Sequence, residues 1–261
     1  MSPVPSQKSK LEQAYRQLTQ ASDLIAAAHL LKEMGEIIGL PYPAVIDDYS
    51  KNRLLPAGDG RALASVFGWE PEFQDQWVEN KLYLVSPIAA ACRVTTRPFA
   101  WDAAVITRVV SATQTRPAAS WHLTPERGIA GGITVPIHLP RCRTGSVAWC
   151  TRDPDVDIEK VLERHYDLLR LAAFRFMDLV YAIREDDANT EAQPAQLSER
   201  ELECLTWVAL GRTDVEIAGI LHRSPTTARF HVDNAIEKLG ARNRAQAVAI
   251  ASQLGLIQAI D

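Results

Sequence analysis

A cluster of basic side chains near the C-terminus is the part of this sequence best suited to bind an anion. Five basic and two acidic residues lie between positions 223 and 244, although the 261-residue chain has a net charge of −4. Such groups bind nucleic-acid phosphates, and a guanidinium can also pair with a guanine edge. We therefore predict a DNA surface on which Arg229 reads bases and Lys238 binds any sequence. The predicted DNA-binding residues are Arg223, Thr226, Thr227, Arg229, Asp233, Lys238, Arg242 and Arg244.

Four helix-start signals place these residues on consecutive helices. The signals are the capping boxes of Ser198 with Glu201 and Thr213 with Glu216, the analogous pair Asn243 and Gln246, and Ser224 followed by Pro225. They predict helices over 199–210, 214–221, 225–239 and 244–254. Only the three residues 222–224 separate the second helix from the third, which is typical of a helix-turn-helix. A solvated charged face would explain any one basic residue, but not this whole pattern.

The same segment carries a set of residues shared with a known class of DNA-binding domain. The set is Arg200, Glu201 and Glu203, Trp207 and Gly211, Glu216 to Ala218, Lys238-Leu239, and Asn243-Arg244. On these residues the segment 197–251 resembles the helix-turn-helix of LuxR-type and FixJ/NarL-type transcription regulators. The resemblance implies a homodimer on a double-stranded operator of two-fold symmetry, with the last helix as the dimer contact of the DNA-binding domain.

The upstream region combines helical and strand patterns and predicts a separate domain. Apolar residues recur at helical spacing over 11–38, with a second start at Ser22-Asp23, and again over 158–183. β-rich runs occupy 43–49, 131–139 and 145–151. The fold class predicted is α+β, with an N-terminal α/β/α sandwich around an antiparallel sheet and a C-terminal all-α domain of four helices. The predicted divisions are 1–183 for the sensor, 184–196 for a polar linker and 197–261 for the helix-turn-helix domain.

Residue types separate two kinds of input domain that precede such a DNA-binding domain. A phosphoacceptor receiver needs an acidic cluster, a phosphorylated Asp after a strand and a Lys late in the domain. Asp47 and Asp48 follow an apolar run, but no lysine occurs between Lys81 and Lys160. A small-molecule sensor is therefore favoured over a receiver.

Aromatic and proline spacing supports the sensor interpretation. The residues concerned are Phe73 and Trp77, Ser86-Pro87, Pro98-Phe99-Ala100-Trp101, and Gly132 to Pro136. They resemble the acyl-homoserine-lactone-binding domain of quorum-sensing LuxR regulators. In that family a Trp donates to the lactone carbonyl, a Tyr and a Ser or Thr meet the acyl carbonyl, and an Asp accepts from the amide N–H. The matching positions hold Phe73, Trp77, Ala148 and Ser86, which cannot reproduce most of those hydrogen bonds.

These departures leave two interpretations of the sensor open. In one, the pocket binds a flatter or less polar signal than a standard acyl-homoserine lactone. The predicted ligand-binding residues are then Phe73, Trp77, Tyr83, Ser86, Trp101, Thr134, Ala148 and Trp149. In the other, packed aromatics close the pocket, and the protein is a ligand-independent regulator or a heterodimer partner.

Other features of the sequence argue against catalysis and metal binding. The four cysteines lack zinc-ligand spacing and are predicted to be reduced and mostly buried. No G-x-S-x-G, H-E-x-x-H, P-loop or G-x-G-x-x-G motif occurs, so we expect no enzyme, no catalytic residue, no metal and no cofactor. No signal-peptide pattern and no apolar run long enough to span a membrane occurs, so we expect a cytoplasmic protein that does not enter membranes.

Overall fold

The computed structural model describes residues 6–79, 81, 86–102, 128–140, 142–187 and 196–257. These residues form two units, each with its own core. The first contains residues up to His138 and from Arg143 to Asp187, and the second includes residues 196–257. Helices and an antiparallel sheet are both present, which confirms the predicted α+β class. Within these described ranges, no helix is long and apolar enough to cross a membrane.

The first unit consists of helices around one sheet. Its described elements are the helices α1 (Gln7–Gln20), α2 (Leu24–Ile38), α3 (Leu63–Phe67), α4 (Pro71–Glu79), α5 (Pro87–Val94) and α6 (Ile158–Asp187), and the strands β1 (Tyr42–Ile46), β2 (Phe99–Asp102), β3 (Gly131–Leu139) and β4 (Arg143–Thr151). The predicted start inside 11–38 is confirmed, because the Asp23 side chain caps α2 by accepting a hydrogen bond from the Ala26 N–H at 2.8 Å. The strand predicted over 43–49 ends earlier, at Ile46, because the Asp48 carboxylate accepts the Ser50 N–H at 2.8 Å and turns the chain.

The sheet has the strand order β1-β4-β3-β2, with β1 antiparallel to β4 and β2 antiparallel to β3. Side chains along β4 alternate between the two faces of the sheet. On one face, Trp149 is fully buried and its Nε1 donates to the Leu31 carbonyl of α2 at 3.0 Å. Gly35 permits this close approach, since a Cβ there would lie 2.9 Å from the Trp149 ring. Helices α1 and α6 pack with α2, whereas α4 and α5 lie over the opposite face, as an α/β/α sandwich requires.

The second unit contains the four predicted helices, each ending within one residue of its predicted end. They are α7 (Glu199–Ala209), α8 (Asp214–Leu221), α9 (Pro225–Lys238) and α10 (Arg244–Gln253). Both predicted capping boxes, at Ser198 and Thr213, are closed. The third pair differs, because Gln246 accepts a hydrogen bond from the Arg242 N–H at 2.7 Å instead of closing the box on Asn243. His222 adopts the left-handed conformation with φ 53°, which ends α8 and directs the chain into α9.

Helix α6 extends four residues past its predicted end at 183, to Asp187. The sequence pattern loses its apolar spacing at Arg184, but a helix satisfies its own backbone groups and does not need that spacing to continue. Residues 188–195, the larger part of the predicted linker, lie outside the described residues.

Candidate ligand cavity and DNA-binding surface

A cavity of about 100 Å³ lies between the sheet of the first unit and helices α4 and α5. Most of its wall is aromatic and aliphatic. Five of the predicted ligand-binding residues line it, namely Phe73, Trp77, Ser86, Trp101 and Ala148. Alternation along β4 explains the contribution of that strand, because Ser146, Ala148 and Cys150 face the cavity and the residues between them do not.

Two other predicted residues, Trp149 and Thr134, are described by the structure and are not part of this wall. Trp149 was predicted to bind the ligand, but it follows Ala148 on the strand and therefore lies on the other face of the sheet, packed against α2. Thr134 is fully buried, and its Oγ1 accepts a hydrogen bond from Trp101 Nε1 at 2.9 Å, so it orients a cavity residue. Gly132 leaves space for the same indole, because a Cβ there would lie 3.0 Å from Trp101 Cζ2. Tyr83 lies outside the described residues.

The cavity offers few hydrogen-bonding groups, and none of its described lining side chains is charged. Ser86 stands at the N-cap of α5, where its side chain is only 2% exposed. Its hydroxyl does not cap the helix and makes no hydrogen bond to any residue that the structure describes. A buried hydroxyl without a partner is costly, so Ser86 is a natural contact for a polar atom of a ligand.

Trp69, Ser146 and Tyr49 are among the lining residues that were not predicted from the sequence. Trp69 stacks on Phe73 with 4.6 Å between ring centroids, and Ser146 lies two residues before Ala148 on β4. Trp69 lies four residues before Phe73 on a helical spacing and Ser146 two residues before Ala148 on a strand, so periodicity could have identified both as lining residues. Tyr49 follows β1 through a turn, so no periodicity indicates it, yet its hydroxyl lies 2.7 Å from Ser146 Oγ. Burial raises the pKa of Tyr49 well above its ordinary value, so this hydroxyl keeps its proton.

Cysteine chemistry does not add charge to the cavity. Burial raises the pKa of the lining Cys150 thiol to about 12 and that of Cys92, next to Tyr49, to about 11. All four cysteines are free, and Cys142 is the exposed one. No group of His, Cys, Asp or Glu side chains in the described residues could hold a metal ion.

The acidic pair that resembled a receiver cluster has a structural role in the first unit. Asp47 Oδ2 accepts a hydrogen bond from Arg53 at 2.7 Å, and its backbone carbonyl accepts one from the Tyr181 hydroxyl. Asp48 accepts bonds from the Ser50 N–H and hydroxyl. Both carboxylates therefore hold the chain that leaves β1.

Helix α9 presents the side chains predicted to read DNA. Thr226, Arg229 and Asp233 are exposed, and the Arg229 Nε lies 3.6 Å from Asp233 Oδ2. Both members of that pair are well exposed, so the guanidinium stays accessible to a base edge. Thr227 is only partly exposed and belongs to the helix start, because its N–H donates to Ser224 Oγ at 3.1 Å. Phe230 was not predicted as a contact, but it is 59% exposed beside Arg229.

The predicted phosphate-binding residues differ in how they are held. Lys238 Nζ donates to Glu201 Oε2 at 2.8 Å, and Arg244 to Asp214 Oδ1 at 2.8 Å. Arg223 and Arg242 are exposed and form no ion pair with any described residue. Burial by itself raises the pKa of Glu201, but hydrogen bonds from Lys238 and the Ser198 N–H outweigh burial, and the net shift is downward. Lys238 therefore also stabilises the start of α7.

Comparison with known proteins assigns both units to characterised families. Residues 29–179 match the autoinducer binding domain, and residues 195–251 match the bacterial regulatory proteins of the luxR family. The quorum sensing-dependent regulator RpaR of Rhodopseudomonas palustris is 32% identical over 80% of this chain and 79% of its own length. The transcriptional activator ExpR of Dickeya dadantii is 24% identical over 75% of this chain and 79% of its own.

A solved structure has a related fold. Escherichia coli SdiA covers 98% of this chain and 100% of its own, with a TM-score of 0.54 and 18% identity. The relatives named by sequence are transcription regulators and not enzymes, which agrees with the absence of catalytic motifs from this sequence.

Proposed function

Because the chain belongs to the LuxR family of quorum-sensing transcription regulators, we propose that a small molecule other than a standard acyl-homoserine lactone gates its binding to DNA. The observation that carries this proposal is the uncharged aromatic cavity in the autoinducer-binding unit. Phe73, Ser86 and Ala148 lie in its wall and cannot make most of the head-group hydrogen bonds that the family resemblance implies. A ligand that needs those bonds would leave buried polar groups unpaired.

The proposal assigns DNA recognition to the second unit. Arg229 reads a base edge, with Thr226 and Asp233 beside it, whereas Arg223 and Arg242 contact phosphates. Lys238 and Arg244 contribute positive charge from within their ion pairs. We further propose that the protein acts in the cytoplasm as a homodimer on an operator of two-fold symmetry, with the sensor over 1–183, the linker over 184–196 and the helix-turn-helix domain over 197–261.

The small size of the cavity favours a second candidate function. A volume of about 100 Å³ is what about three water molecules occupy in liquid water. It is well below the usual size of ligand pockets. A regulator with its pocket closed by aromatic packing would bind DNA, or a sister regulator, without any signal.

Thermal unfolding of the intact protein with a library of small molecules separates the two functions. A ligand that binds only the folded state raises the apparent stability by RT ln(1 + [L]/Kd). Gating predicts that a stabilising compound also changes the affinity for operator DNA. If no compound stabilises the protein and operator binding is strong without additives, the ligand-independent function replaces the gated one.

A further inference from the structure

The hydroxyls of Tyr49 and Ser146 form a second polar site in the cavity, apart from Ser86. The Tyr49 N–H donates to the Thr144 carbonyl at 2.8 Å, which holds the Tyr49 backbone against β4. Its side chain then reaches Ser146 Oγ at 2.7 Å. Both residues line the cavity and are at most 4% exposed, so water has little access to either oxygen.

This pair keeps hydrogen-bonding capacity that its own bond does not use. Two hydroxyls have one proton each, and their mutual bond uses one proton, so one O–H is left over. The Cys92 thiol packs beside Tyr49 and interacts with both hydroxyls, but it is a weak acceptor. An O–H with only a thiol as partner is poorly satisfied in an apolar wall, and a ligand oxygen would satisfy it better.

The rest of the wall restricts the chemistry of that ligand. The described lining side chains carry no charge, so an ionised ligand would be buried without a counter-ion. Trp69, Phe73 and Trp101 provide flat surfaces, and a cavity of about 100 Å³ favours a compact ring over a long acyl chain.

We propose that the Tyr49 and Ser146 pair donates its spare O–H to a carbonyl or hydroxyl oxygen of an uncharged, ring-sized aromatic signal. This inference rests on the proposed ligand gating and adds the chemical class of the ligand and the group that anchors it. Tyr49 and Ser146 thereby become specificity-determining residues of the sensor.

Three probes of nearly equal shape test the proposal on the intact protein. Acetophenone has a carbonyl oxygen, α-methylstyrene has a CH₂ group in its place, and benzoate is charged. We expect acetophenone to bind roughly fivefold more tightly than α-methylstyrene, the value of one net hydrogen bond, and benzoate to show no measurable binding. In the NMR spectrum of the wild type, the Tyr49 Cζ resonance should shift with acetophenone and not with α-methylstyrene. This measurement needs no variant.

The double variant Tyr49→Phe/Ser146→Ala should lose the preference for acetophenone and bind α-methylstyrene at least as tightly, because the carbonyl oxygen would then be buried without a donor. Equal binding of acetophenone and α-methylstyrene to the wild type would overturn the anchor but leave ligand gating intact. If Ser86→Ala removed the preference for acetophenone and the double variant kept it, Ser86 would be the anchor. That result would also overturn the inference. If no probe binds, the ligand class is wrong, whereas gating itself fails only when the wider library also gives no stabilising compound.

Discussion

Arg229 and Arg242 represent two ways in which a cation contributes to DNA binding. Arg229 is exposed on α9, whereas Arg242 lies before α10 without an ion pair in the described part of the chain. We expect Arg229→Ala to weaken operator binding by about 1–3 kcal/mol and to relax preference at one base pair per half-site. Arg242→Ala should weaken all sequences alike and lower the salt slope by about 1.

Titrations on operator and scrambled DNA at two salt concentrations measure both effects. An unchanged operator-to-scrambled ratio for Arg229→Ala would remove that residue from base reading. Arg242 is a better control than Lys238, because Lys238→Ala also breaks the ion pair with Glu201 and changes the stability of the domain.

The cavity residues that depart from the family pattern predict a gain of function. The triple variant Phe73→Trp, Ser86→Asp and Ala148→Ser restores the residue types with which the family that this domain resembles binds an acyl-homoserine lactone. All three positions line the cavity. We expect the wild type to show no thermal shift with micromolar lactone and the triple variant to show one. Without ligand the variant should be less stable, because the new carboxylate is buried and unpaired. A clear micromolar response of the wild type would show that other residues make these bonds.

At the scale of elements, local signals were sufficient for the helices but not for the cavity. Caps such as Ser198 and Thr213 act within four residues, so the sequence contains the whole interaction that starts the helix. Neighbouring residues of a strand point to opposite faces, so Ala148 and Trp149 could not both line the cavity, and Trp149 lies in the other layer. The Tyr49 and Ser146 contact joins residues 97 apart in sequence, which no local pattern reveals.

The Glu201 capping box predicts a pH-dependent contribution to the stability of the second unit. The pKa of Glu201 is lowered in the folded state, so its stabilisation is present above the unfolded pKa of about 4.3 and is lost as the pH falls through the folded value. We expect Glu201→Gln to cost about 1 kcal/mol at pH 7, since Lys238 is partly exposed and screened. Calorimetric unfolding of both proteins should show this difference shrink as the pH falls below about 4.3. A difference that is constant from pH 7 to pH 3 would contradict the ionic role.

The two units of the whole molecule are expected to contribute differently to DNA affinity. The second unit has its own core, built on Cys204, Ile217 and Val232 and on Leu205, Ala235 and Ala247. The isolated segment 190–261 should therefore fold as a helical domain, which circular dichroism and a cooperative thermal transition would establish.

The same segment should bind a full operator much more weakly than the intact protein does. Helix α10 is 10 residues long and offers only a small dimer contact, so a single domain lacks the effective concentration that a dimeric sensor provides. Leu171 and Phe174 leave apolar surface exposed on α6, at 52% and 37%, where a second subunit could pack. We expect Leu171→Glu in the intact protein to lower operator affinity toward that of the isolated segment, whereas Val94→Glu, at a still more exposed apolar position off α6, should not. Equal affinity of the isolated segment and the intact protein, measured by titration and sedimentation, would leave α6 without a dimerising role.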